Sequence, residues 1–129
     1  MFLTLTVRNV KGDDLNATLS SLTKSFDRLF RRAKVKKNLL GYLRSVEVTH
    51  NEKEKTYHPH IHVLLMVKSS YFAGKDNYIS QKEWGEMWSR SLKVDYYPMV
   101  DIRGVKQSYY GIEKAIIETA KYPVKPMNL

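Results

Sequence analysis

The chain opens on an alternating apolar run, "FLTLTVR" (Phe2 to Arg8), which predicts a β-strand because successive side chains in a strand point to opposite faces. "NVKGDD" reads as a turn, with Asp13 or Asp14 able to cap the helix that follows. Leu15, Leu19, Leu22, Phe26, Leu29 and Phe30 recur at helical spacing and predict a helix to about Ala33. "GYLRSVEVTH" from Gly41 and "HPHIHVLLMV" from His58 alternate again, joined by the charged connection "NEKEKTY". Pro59 is tolerable near a strand start. After a loop from Lys68 to Asn77, "ISQKEWGEMWSRSL" places Trp84, Met87, Trp88 and Leu92 on one helical face, with Ser80 as cap and Glu83 completing a capping box. "YYPMVDIR" (Tyr96 to Arg103) predicts a fourth strand. A last helix begins near Gln107 and ends before Pro123, with Ile112, Ala115, Ile116 and Thr119 on its sheet-packing side.

The order β-α-β-β-α-β-α predicts an α+β protein. Its first six elements match the split βαβ arrangement of the ferredoxin and RNA-recognition folds, a four-stranded antiparallel sheet with helices on one face. At 129 residues the chain is long enough for one domain with a hydrophobic core, and it shows no repeat or linker. No apolar run approaches a membrane span and no signal peptide is visible, so no membrane partner is expected. The absence of cysteine excludes disulfides and thiolate metal sites and leaves an intracellular location as the default.

Charge changes the picture. Lys and Arg number 22 against 13 Asp and Glu, a net charge of +9, which suits a polyanionic partner through counterion release. A basic surface kept for solubility is an equal explanation until position is considered. Much of the excess falls in "RLFRRAKVKK", making Arg31, Arg32, Lys34, Lys36 and Lys37 candidate nucleic-acid contacts. An anionic lipid surface is the weaker alternative, because no aromatic insertion face accompanies them.

"YHPHIHVLL" supplies the candidate chemistry. Three of only four histidines stand at every second position, so His58, His60 and His62 share a strand face while Pro59, Ile61, Val63 and Leu65 face a core. Glu47, between Val46 and Val48, needs solvent or a partner. With Glu47 on the histidine face, two imidazoles and a carboxylate make a divalent-cation site with open positions; the hairpin register is left undetermined. Alternation on a solvent-facing strand would explain one histidine, but it explains the His60, His62 and Glu47 set less well. His58 supports the ligands from beside them, contacts substrate or is plain surface; His50 reads as surface. Zinc hydrolysis competes but lacks a His-Glu-x-x-His helix. Glu118 and Tyr122 are four apart on the last helix. With nine tyrosines in the chain, a packing role for Tyr122 outweighs others until a nearby cation is considered. A cation would polarise a phosphodiester for attack by the phenol.

These motifs resemble the HUH endonuclease superfamily, named for its His-hydrophobe-His strand, here His60-Ile61-His62. More narrowly, "FLTLTVRN", "HPHIHVLL" and "ETAKYPVK" resemble, in order, the three motifs of single-tyrosine replication initiators of small Gram-positive rolling-circle plasmids. Together they span nearly the whole chain. The resemblance implies a metal-dependent nickase and strand transferase acting on single-stranded or cruciform plasmid origin DNA in the bacterial cytoplasm. It implies Mn²⁺ or Mg²⁺ on His60, His62 and Glu47, and attack by Tyr122 to leave a 5′-phosphotyrosine and a free 3′-hydroxyl. It further implies Glu118 as activator of the releasing water and Lys125 as a phosphate-neutralising residue. Host helicase and polymerase, and homo-oligomeric assembly, also follow from the family. Members usually extend beyond both outer motifs, so residues 1–129 are expected to be a single nickase domain, with a fragment of a longer initiator one reading. The rival readings are a single-tyrosine transposase, a relaxase, and a non-catalytic single-strand-binding module. A relaxase is disfavoured because no tyrosine precedes Tyr42. A binding module on this sheet should carry a glycine-aromatic signature where the histidines stand.

Overall fold

The computed structural model describes residues 1–105 and 109–120. Its elements are β1 (Phe2–Thr6), β2 (Val10–Lys11), α1 (Leu15–Arg31), α2 (Ala33–Lys36), β3 (Leu39–Asn51), β4 (Thr56–Val67), α3 (Gln81–Leu92), β5 (Val100–Arg103) and α4 (Tyr109–Ala120). Short 3₁₀ turns cover Gly12–Asp14 and Ser69–Phe72.

All described strand pairs are antiparallel. β4 and β1 lie at the centre, β3 flanks β4, and β5 flanks β1, while β2 continues along β4 beyond the end of β1. This is the split βαβ arrangement with one added short strand. α1 and α3 cover one face, as the apolar spacing predicts. Leu22, Phe26 and Leu29 of α1 and Trp84, Met87 and Trp88 of α3 are buried with Leu3, Leu5, Ile61, Val63 and Leu65 of the sheet. Tyr42 meets Phe26 and Phe30 edge-on, which assigns the even-numbered residues of β3 from Tyr42 onward to this helical side, past the register shift between Leu39 and Gly41.

Several boundaries differ from the sequence expectation. The segment read as a turn contains β2, whose Val10 and Lys11 pair with Tyr57 and Thr56. Asp14 makes no side-chain cap to α1; the 3₁₀ turn leads into the helix instead. α1 stops at Arg31 because Arg32 is extended, at ψ 138°. The β3–β4 ladder reaches Asn51↔Thr56, leaving only Glu52–Lys55 as the turn. There the Asn51 side-chain oxygen accepts from the amides of Lys53 and Glu54.

Ser80 does cap α3, accepting from the Glu83 amide at 3.2 Å. The Glu83 carboxylate, however, is taken by Lys34 Nζ at 2.8 Å. β5 begins only at Val100, consistent with Pro98, which cannot donate to a ladder. Tyr96 instead lies under the Arg8 guanidinium at 3.8 Å, and Tyr97 rests where a Cβ at Gly85 would stand. No described helix is long and apolar enough to cross a membrane.

The last helix takes the other face. Ser45, which pairs across from His62, donates its hydroxyl to the Thr119 carbonyl at 2.9 Å. Thr119 is buried as expected, but Ile112 and Ile116 remain 43% and 44% exposed. The sheet is therefore covered by α1 and α3 on one side and touched by α4 on the histidine side.

Candidate metal and nucleotidyl-transfer site

Register decides which side chains meet. Glu47 lies directly across from His60, and Ser45 across from His62; on the other flank Thr6 faces His60 and Thr4 faces His62. A direct cross-strand partner has the same facing. Glu47 is therefore on the histidine face, which alternation alone left open. His62 is buried and its Nε2 stands 3.3 Å from Glu47 Oε1, a diagonal contact across the ladder. Its Nδ1 is 3.5 Å from the Thr4 hydroxyl.

The ring of His60 runs almost parallel to that of His62, with centroids 6.0 Å apart and an 11° tilt. His58 meets His60 edge-on at 4.3 Å, so it adjoins the pair rather than standing apart on the surface. His60 Nδ1 is buried and has no hydrogen-bond partner among the described residues. A buried, unsatisfied ring nitrogen costs free energy unless something fills its valence. Among the described residues no three His, Asp or Glu side chains are already gathered as a metal cage. The pair in hydrogen-bonding reach is Glu47 and His62.

Burial holds the His60 pKa below its ordinary 6.5; the neighbouring His58 and His62 push the same way, against a smaller opposing pull from Glu47 and the His58 backbone. The ring is thus neutral at pH 7, with a lone pair free to donate. The unfolded chain takes up a proton at His60 near pH 6.5, whereas the folded chain does so only at lower pH. The stability tied to this site is complete above about pH 6.5 and is lost as pH falls toward the folded value. Urea unfolding at pH 7.5 and pH 5.5 checks this. Wild type should lose more stability over that interval than His60→Gln, and equal losses would refute the assignment.

Thr4 and Ser45 were not singled out from the sequence as site residues. Their signal was available: each is a small polar residue on the strand face opposite the core-facing positions. Tyr122 and Lys125 lie outside the described residues. Glu118 falls within α4, but its side chain is likewise outside the description.

The basic cluster sits on the helical side of the sheet, away from the histidines. Arg32 donates to Ser91 Oγ, Lys34 pairs with Glu83, and Lys37 donates to the Asp76 carbonyl. Arg31 donates to the Asp27 carbonyl within its own helix, and Lys36 is exposed. Among the described residues, only Lys34 of these five has its charge countered by a carboxylate, so the strip stays cationic while also joining α1 and α2 to α3 and the loop before it.

The chain is 73% identical over its whole length to the "Protein rep" of Streptococcus pneumoniae serotype 2 (strain D39 / NCTC 7466), covering 41% of that protein. It is 49% identical to the "Protein rep" of Lactiplantibacillus plantarum, with 97% of this chain and 41% of that one aligned. A "Replication protein" of Staphylococcus aureus is 45% identical, with 97% and 55% aligned. The chain thus spans about two fifths to just over half the length of these relatives. No solved structure matches it significantly. The replication protein family model matches residues 1–129, so the histidine strand, the opposed glutamate and the helix laid over them belong to a member of the replication protein family.

Proposed function

We propose that this chain is the catalytic part of a plasmid rolling-circle replication initiator that nicks and transfers single-stranded or cruciform origin DNA through Tyr122. The observation that carries this reading is the shared face of Glu47, His60 and His62, reached by the helix that leads to Tyr122. Glu47 Oε1 and His62 Nε2 are 3.3 Å apart. A ring nitrogen and a carboxylate oxygen this close would both reach one divalent cation, so the pair would suit Mg²⁺ or Mn²⁺. The buried Nδ1 of His60 marks a ring whose valence is not met by the described protein. Mixed nitrogen and oxygen donors suit these ions and leave other positions open.

When bound, the cation supplies positive charge to the phosphate oxygens. Glu47, His60 and His62 would hold and orient it, and Thr4, facing His62, restrains that imidazole. The Tyr122 oxygen attacks phosphorus as its proton passes to solvent. The bond from phosphorus to the 3′-oxygen breaks, and that oxygen takes up a proton from solvent to leave as a hydroxyl able to prime synthesis. Glu118 takes a proton from the water that later releases the 5′-phosphotyrosine. His58, beside His60, contacts substrate or supports the ligands, and Lys125 neutralises phosphate charge. The strip of Arg31, Arg32, Lys36 and Lys37 holds DNA away from the scissile bond, where it adds salt-dependent affinity without base readout. The protein acts in the bacterial cytoplasm with host helicase and polymerase, as part of a longer initiator able to assemble with itself.

The test is incubation with end-labelled single-stranded DNA of the cognate origin and Mn²⁺. Wild type is expected to form a covalent adduct that Tyr122→Phe cannot form, while Tyr122→Phe still shifts the oligonucleotide. A shifted but uncut oligonucleotide with wild type would make the protein a binding module.

A further inference from the structure

We infer that Ser45 is a positioning residue that anchors the end of α4 over the histidine face; its role in the reaction rests on the nicking reading above. Ser45 is 5% exposed, in the strand that also carries Glu47, and lies opposite His62. Its hydroxyl donates to the Thr119 carbonyl at 2.9 Å, across 74 positions of sequence. The Thr119 hydroxyl does not compete, because it donates back to the Ala115 carbonyl.

Covalent chemistry explains why this carbonyl needs an outside donor. The last carbonyls of a helix lack partners within it. For Thr119 the residue four positions on is Pro123, which has no N–H to offer. Ser45 fills that place from the sheet. The bond carries weight here because, among the described side chains of α4, Ile112, Ile116 and Ile117 are 43%, 44% and 60% exposed. Tyr122 follows Thr119 by three residues, and three residues of chain reach about 11 Å at most. Holding the Thr119 carbonyl against Ser45 therefore limits how far the nucleophile can stand from Glu47 and His62. Attack geometry is sensitive to such limits, with displacements near 1 Å costing about 100-fold.

The experiment uses the full chain with Ser45→Ala and Ser45→Thr. Hydrogen exchange without metal or DNA reads the anchor: Ser45→Ala should speed exchange across residues 111–120 and leave β1 and β4 protected. Single-turnover adduct formation with the origin oligonucleotide and Mn²⁺ reads the positioning. There Ser45→Ala should slow the step about 10- to 100-fold with unchanged oligonucleotide affinity. Ser45→Thr, which keeps the hydroxyl, should restore both readouts. Wild-type exchange in Ser45→Ala overturns the anchor. Faster exchange with an unaltered rate, or a rate loss matched by lost affinity, overturns the positioning role. If wild type forms no adduct, the nicking reading fails, and the exchange result still decides the anchor.

Discussion

His62→Ala should abolish adduct formation while leaving the fold and most non-specific DNA binding in place. The His62 ring is buried, held between Thr4 and Glu47, and it is the imidazole within hydrogen-bonding reach of the carboxylate. Removing it takes away a proposed cation ligand and the contact at 3.3 Å with Glu47 Oε1. A cation polarising a phosphate is worth several kcal/mol of transition-state stabilisation. At about 1.4 kcal/mol per factor of ten, a loss on the order of 1,000-fold or more is expected. His60→Ala should act in the same direction, since its neutral ring brings the unsatisfied nitrogen. DNA binding should survive because the cationic strip lies on the opposite side of the sheet. Gel shift and adduct assays on the same preparation separate the two effects. Parallel loss of binding and cleavage, with an unchanged circular dichroism spectrum, would refute this division.

The largest effect on stability is expected at Trp88. This side chain has no exposed surface, fills the space between α3 and the sheet, and donates its indole N–H to the Thr6 carbonyl at 2.8 Å. Trp88→Ala removes the buried ring, leaves a cavity and leaves that carbonyl without its donor. A core Trp→Ala change costs about 3–5 kcal/mol, of which a lost hydrogen bond accounts for about 1. Against a typical total of about 5–15 kcal/mol, this is a large fraction. Trp88→Phe should cost less, since it keeps most of the packing and loses mainly the hydrogen bond. Thr6 faces His60 across β1 and β4, so Trp88 also holds in place the strand end beside the histidines. Urea midpoints for both variants check the order; equal midpoints for Ala and Phe would show that packing at this position carries little.

The order of the main elements was legible because their signals are local. Leu22, Phe26 and Leu29 recur at helical spacing, and all three are buried in the structure. Ser80 followed by Glu83 marks the start of α3, and the cap forms. The reciprocal half of the box expected from Glu83 does not form, because its carboxylate turns to Lys34, 49 residues away in sequence. β2 was illegible for a similar reason. Val10 and Lys11 carry no alternation of their own and become a strand only because Tyr57 and Thr56 lie beside them.

At the candidate site, strand alternation alone places His58, His60 and His62 on one face and Ile61 and Val63 on the other. A strand's two-residue period requires that, whatever the strand packs against. That Glu47 stands across from His60 and reaches His62, that α4 lies on the histidine side, and that the basic cluster lies on the other follow from the packed fold. Register and helix placement depend on contacts closed over long stretches of chain, and no local period encodes which partner a residue will meet.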